Sequence, residues 1–214
     1  MDSKIGIAVL LTEGAEFAEF VFPYEPWPDN AMAFVNKNRD TTTKWLYYNK
    51  IPFYFQSVNN LSRLRNAAIW FFRDCDYIVF IEDIITVLDS AIVKIYAEKA
   101  ERNNFSYITY SYQTGATPAI LPGFEIYNMN DCKRAGALNL SEDDYGDGWR
   151  GYIAKIAREE SYLGPPHVSC SDDYLRIQNG TKANMYVEKE LNPLSTFNLE
   201  KIPMKQPTGT FYLD

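Results

Sequence analysis

The chain is poor in the residues that build the commonest metal and redox sites, with one histidine and three cysteines among 214 residues. Cys75, Cys132 and Cys170 are scattered and lack C-x-x-C spacing, which argues against a disulfide framework or a zinc cluster and leaves free thiols. Positive charge is also scarce: 21 Lys and Arg against 28 Asp and Glu give a net charge of −7, and the isoelectric point lies near 4.9. General binding to nucleic acid is thereby disfavoured, because that affinity comes largely from basic side chains displacing counterions. Any phosphate must be gripped locally. The longest apolar runs, such as Ile5–Leu11 and Tyr77–Ile81, fall far short of the ~20 residues that cross a bilayer. The amino terminus lacks the charged-then-apolar pattern of a signal peptide, so the expected location is cytoplasmic. Finally, G-x-x-x-x-G-K-[ST], G-x-G-x-x-G and G-x-S-x-G are all missing. P-loop phosphoryl transfer, Rossmann dinucleotide chemistry and α/β-hydrolase catalysis therefore have no motif behind them.

What is present is enough apolar sequence, 46%, to fill the core of one large domain. Aromatics reach 15%; they read first as packing and second as flat faces on which sugars or bases stack. Lys4–Thr12 reads as a buried strand. Pro23, Pro26 and Pro28 forbid a helix through the second half of the following loop. Ala31–Val35 is a second strand, and Asp40-Thr41 caps a helix through Trp45 and Leu46. Ile51–Ser57 is a third strand, and Leu61, Leu64, Ala68 and Phe72 recur at helical spacing.

This helix feeds Tyr77-Ile78-Val79-Phe80-Ile81-Glu82-Asp83, an apolar run that stops on two carboxylates. Such a run reads as a strand buried on both faces of a mostly parallel sheet. A further helix from Asp89-Ser90 and a strand over Phe105–Tyr112 complete an alternation that implies an α/β fold with right-handed crossovers and helices on both faces. The second half is less regular. It offers a strand at Gly123–Tyr127, a short helix at Asn130–Gly136, an acidic loop at Ser141–Gly148, a helix at Trp149–Tyr162, and short segments at Asp172–Ile177 and Ala183–Glu188. No internal repeat or linker divides the chain. The expectation is one domain over 1–214, with 1–112 and 113–214 as its halves.

Four constellations carry chemistry. Glu82-Asp83, with Asp89 downstream, forms a hard oxygen site suited to Mg²⁺ or Mn²⁺ against a diphosphate, or else a turn or helix-capping pair. Asn60-Leu61-Ser62-Arg63-Leu64-Arg65-Asn66 opens a helix whose amide groups and arginines favour an anion, or is a solvated face paired with acids. His167 follows Gly164-Pro165-Pro166 and reads as structural, or as a late metal ligand on a hinge. Glu142-Asp143-Asp144-Tyr145-Gly146-Asp147 is a carboxylate cluster in which mutual repulsion raises proton affinity, as a general base requires, or a solvated loop.

In this order the motifs resemble a nucleotide-diphospho-sugar glycosyltransferase of the GT-A fold, family-2 type. The carrying elements are Ile5–Thr12, Asn36-Lys37-Asn38-Arg39-Asp40-Thr41-Thr42, Asn60–Asn66 and Tyr77–Asp83, over roughly residues 4–112. The resemblance implies a mostly parallel central sheet with a smaller acceptor-side region. It implies Thr12, Glu13 and Asn36 at the nucleoside, Asn60, Arg65 and Asn66 toward the base or diphosphate, and Glu82, Asp83 and His167 at a Mn²⁺ or Mg²⁺ ion. Asp144 or Asp147 would be the catalytic base.

The sequence departs from that pattern at Ile84, where the family has Asp, and at Asn36, where it also has Asp. The implied reaction moves a hexose from a nucleotide-diphospho-sugar, a UDP-hexose by family habit, to a hydroxyl of a glycan or glycoprotein, in polysaccharide or glycoprotein biosynthesis. The implied setting is a catalytic domain of a longer, virus-encoded or bacterial enzyme. Two alternatives stay open. A nucleotidyltransferase would also use acids and a metal, but normally shows a Gly-rich basic loop where Thr12-Glu13-Gly14 stands. A catalytically inactive carbohydrate-binding module would explain Ile84 and the many aromatics.

Overall fold

A computed structural model describes residues 3–12, 18–36, 40–58, 60–83, 85–103, 107–114, 121–130, 175–177, 183–191 and 206–213. The expected helices at Asn130–Gly136 and Trp149–Tyr162 and the acidic loop lie largely or wholly outside these residues.

The order of the first half is β1 Ile5–Leu11, β2 Ala31–Asn36, α1 Asp40–Tyr48, β3 Phe53–Gln56, α2 Leu61–Phe71, β4 Tyr77–Glu82, β5 Ile85–Val87 and α3 Ala91–Asn103. Then come β6 Tyr107–Thr114, β7 Leu121–Asn128, β8 Leu175–Ile177, β9 Ala183–Leu191 and β10 Thr210–Tyr212. Eight strands form one sheet in the order β10-β3-β2-β1-β4-β7-β6-β9. Pairs β3-β2, β2-β1 and β1-β4 are parallel. β7 runs antiparallel to both β4 and β6, so β6 points the same way as β4. Five of the eight strands thus share one direction, the mostly parallel α/β sheet that the alternation implied. β9 and β10 are antiparallel additions at the two edges.

β1 is apolar throughout and β2 as far as Val35, because both faces are covered. Ile7, Val9 and Leu11 face one layer with Leu46 of α1 and Ile92, Val93 and Ala97 of α3. Ala8, Leu10, Met32 and Phe34 face the other with Leu64, Ala68 and Phe72 of the α2 region. Helices therefore lie on both faces. Gly6 is required where Phe72 crosses β1, since a Cβ there would overlap its ring.

α2 begins at Asn60, whose extended backbone and side-chain oxygen, accepting from Arg63 N–H at 2.8 Å, form an N-cap. Asp74-Cys75-Asp76 follows this helix, and Asp76 accepts from Lys4 N–H at 2.8 Å, tying the amino ends of β1 and β4. At the start of α3, Asp89 accepts from Ala91 N–H at 2.8 Å.

Two elements differ from the sequence expectation. The residues after Asp83 form β5, which pairs antiparallel with β8 as a separate ribbon. The carboxyl-terminal β10 returns to the edge of β3, where Tyr212 stacks on Phe53 at 4.5 Å and Phe211 on Phe71 at 5.4 Å. Three-residue strands are too short for periodicity to show; one ladder holds each of them, and aromatic contacts add to β10.

Candidate functional site

The carboxyl ends of the four parallel strands are level. Leu11 is registered with Val35, Asn36 with Gln56, and Leu10 with Glu82, so Thr12, Asn36, Gln56 and the Glu82-Asp83 pair share one edge of the sheet. The chain leaves β1 toward β2 and β3, then returns through α2 to β4 on the other side of β1. The order reverses between β1 and β4, and open α/β sheets bind ligands at such a switch point. There the Asp83 carboxylate accepts from Thr12 N–H at 2.6 Å and from Thr12 Oγ1 at 3.1 Å. Asp83 N–H donates to Leu10 O at 3.1 Å. Asp83 is fully buried and closes the seam between the two strand ends.

A second polar group sits over β2 and β3. Asn36 Oδ1 accepts from Gln56 Nε2 at 3.1 Å and from Asn60 N–H at 3.2 Å, while Gln56 Nε2 also donates to Asn60 O at 2.8 Å. Asn36 thereby fixes the entry of α2 against the sheet. Asn66 is half-buried further along that helix.

The third group lies beneath α2. Arg65 is buried, with Nη2 2.6 Å from Glu125 Oε2 and 3.5 Å from Glu82 Oε1. Its guanidinium stands 4.8 Å over the Phe80 ring. Tyr127 donates its hydroxyl to Glu125 Oε1 at 2.8 Å. Burial alone would lower the Arg65 pKa, but the charges of Glu125, Tyr127 and Glu82 outweigh it and hold the group above its ordinary value. Arg65 Nη1 is buried without a hydrogen-bond acceptor among the described residues, so the two carboxylates and Phe80 carry its stabilisation.

No protein-family model matches the chain and no curated protein is similar to it. Among solved structures it is similar to a cytidylyltransferase from Leptospira borgpetersenii serovar Hardjo-bovis, with TM-score 0.48 and 15% identity over 74% of this chain and 72% of that chain. It is also similar to a structure named as a glucose-1-phosphate thymidylyltransferase from Bacillus anthracis, with TM-score 0.43 and 10% identity over 72% of this chain and 82% of that chain. No residue role is carried across at that likeness.

Glu82 and Asp83 do not converge. Glu82 shares the face of Phe80 and turns to Arg65, whereas Asp83 turns to Thr12. Each carboxylate is held by a protein partner, and among the described residues no group of three or more His, Cys, Asp or Glu stands ready for a metal ion. The two acids by themselves do not fit a shared divalent-cation site. Asp89, the third acid of that constellation, caps α3. Glu13, Asp144, Asp147 and His167 lie outside the described residues. No helix among the described residues is long and apolar enough to cross a membrane.

Two residues of this edge escaped the sequence reading. Gln56 ends β3 at the register position of Asn36, and a polar residue closing an apolar strand was its signal. Glu125 stands between buried Phe124 and Ile126 in β7. A lone carboxylate in an apolar strand needs a buried cation, and Arg65, four residues after Leu61 on the apolar stripe of α2, is that cation.

Proposed function

We propose that this chain is a transferase that binds a nucleotide-diphospho-sugar across the carboxyl edge of its sheet. The observation that supports this reading most is the Thr12–Asp83 bond at the β1/β4 switch point, flanked on one side by the Asn36–Gln56–Asn60 group and on the other by Glu82. On this reading Thr12 and Asn60 approach the nucleotide, and Asn36 acts by holding the α2 entrance in place. Arg65 sits beneath the donor and keeps Glu82 at the edge. The chemistry is glycosyl transfer from the donor to a hydroxyl of a glycan or glycoprotein, as the order of the sequence motifs implies. Glu13, Asp144, Asp147 and His167 are proposed at the donor, as base and as metal ligand. Mn²⁺ or Mg²⁺, when bound, would neutralise the departing diphosphate. With the two described acids turned apart, that ion depends on ligands beyond them.

A second reading is nucleotidyl transfer, which forms the sugar nucleotide from a sugar phosphate and a nucleoside triphosphate. It stays beside the first because Asn36 and Arg65, the residues assigned to the donor by the glycosyltransferase resemblance, are engaged within the protein and so lend that resemblance less support. Calorimetry with UDP-hexose, with and without Mn²⁺, tests the shared claim; no heat with any nucleotide sugar removes it. Product analysis separates the two chemistries. Release of nucleoside diphosphate marks glycosyl transfer, and release of pyrophosphate from triphosphate plus hexose-1-phosphate marks nucleotidyl transfer.

A further inference from the structure

At the opposite, amino-terminal edge of the sheet lies a cavity of about 460 Å³ between the 19–31 loop and α1. Its volume falls within the ~300–1,000 Å³ range of small-molecule sites. Trp27 and Trp45 line it with Phe22, and Glu19, Asp29 and Asn49 supply polar groups. A second hollow of about 310 Å³ adjoins it at Pro28. We propose that this cavity binds a neutral oligosaccharide, at a site separate from the carboxyl edge.

The lining has the two components that sugar recognition needs. Indole rings offer flat apolar faces to the C–H face of a pyranose, and carboxylates with an amide accept and donate to its hydroxyls. Trp27 is fixed edge-on to Phe22 at 5.5 Å. The loop that bears it is anchored by Glu25, which accepts from Ser90 N–H at 2.7 Å and from Ser90 Oγ at 2.9 Å.

The opposite wall is set by the end of α1. Lys50 N–H donates to Tyr47 O and Ile51 N–H to Leu46 O, with Lys50 at φ 55°, the paired bonds of a Schellman turn. This turn places Asn49 and Lys50 on the rim. The segments that form the wall also carry exposed aromatics: Tyr24 is 74% exposed, and Tyr47 and Tyr48 are 64% and 79% exposed.

Other ligand classes fit less well. Glu19, Glu25 and Asp29 against Lys50 alone disfavour a nucleotide or phosphate. Glu25 is engaged by Ser90, which leaves two solvent-screened carboxylates to attract a cation.

The test is a titration of the full chain followed by the indole N–H signals of Trp27 and Trp45, assigned with Trp27→Phe and Trp45→Phe. The probes are cellobiose, maltose, lactose and chitobiose, with choline and UDP as cationic and anionic controls. At least one disaccharide should shift both indoles with millimolar affinity, and the exposed Glu19→Gln/Asp29→Asn pair should weaken it roughly tenfold without changing the thermal transition. Four silent disaccharides, a response to choline or UDP alone, or an affinity untouched by the double variant would each overturn the proposal. Because the site stands apart from the carboxyl edge, its loss would leave the nucleotide-sugar reading intact.

Discussion

Glu125→Gln keeps the shape of the buried cluster and removes one charge, so it isolates what holds Arg65 in the core. In the parent, Arg65 lies 2.6 Å from Glu125 and 3.5 Å from Glu82, and its Nη1 has no acceptor among the described residues. Breaking a buried pair from one side costs about 3–5 kcal/mol. The lower end, about 3 kcal/mol, applies because Glu82 remains as partial compensation and the amide oxygen still accepts from Tyr127. At this size each kcal/mol moves the thermal midpoint by about 2–4 °C, so a fall of roughly 6–12 °C is expected. Urea titration measures the free energy directly through a lowered midpoint at constant slope. The apolar pair Arg65→Met/Glu125→Leu should be more stable than Arg65→Met alone, since it leaves no uncompensated Glu125 carboxylate, and should lie below the parent by about 1–3 kcal/mol because the buried Tyr127 hydroxyl loses its acceptor. A Glu125→Gln variant within about 0.5 kcal/mol of the parent, with a double variant no better than Arg65→Met alone, would refute this reasoning.

Asn36→Ala should lose about 1–3 kcal/mol, because Asn60 N–H and Gln56 Nε2 lose a shared buried acceptor, while Asn36→Asp keeps that acceptor; denaturant curves of the two variants compare them. Gly209→Ala forces a Cβ into Phe55 O and the Tyr54 hydroxyl, so β10 should detach and β3 amides should exchange faster with solvent. Lys50→Gly should stabilise by about 1 kcal/mol, because φ 55° costs a side-chain-bearing residue and not glycine. Burial raises the Tyr54 pKa above 10.0, against the opposing effects of the Gly209 N–H bond and Arg63. The folded state holds the phenolic proton more tightly than the unfolded chain. That contribution is complete below pH 10.0 and lost as pH rises through the higher folded value, so a pH series of urea midpoints should fall more steeply above about 10 for the parent than for Tyr54→Phe.

Much of the first half was legible because its elements are long and carry their own punctuation. The apolar runs of β1 and β4, the Leu61–Phe72 helical stripe, and the Asp40, Asn60 and Asp89 starts all correspond to observed elements. Thr12, Asn36 and Glu82-Asp83 were recognisable as polar residues at strand ends and Asn60 as a helix start, and the structure gathers them on one edge. What each side chain does there was less visible, because it depends on partners far along the chain. Arg65 reads from the sequence as an anion-binding residue, and its ion-pair partner Glu125 lies sixty residues away. Glu82-Asp83 looked like a pair because adjacent acids share a sequence position, yet consecutive residues leaving a strand point apart. β10 was illegible for a different reason: three residues have no period, and its place is decided by Gly209 and the rings of Phe53, Tyr54 and Phe71.

The most direct test of the central claim is a titration of ¹⁵N-labelled protein with a UDP-hexose, followed at the backbone amides of Thr12, Asn36, Asn60 and Asp83. The account predicts saturable shifts concentrated on those four residues and their neighbours at the carboxyl ends of β1, β2 and β4, and weakened binding in Thr12→Val. Silence at that edge for UDP-, CDP- and dTDP-hexoses alike would contradict it, as would shifts confined to the Trp27–Trp45 cavity.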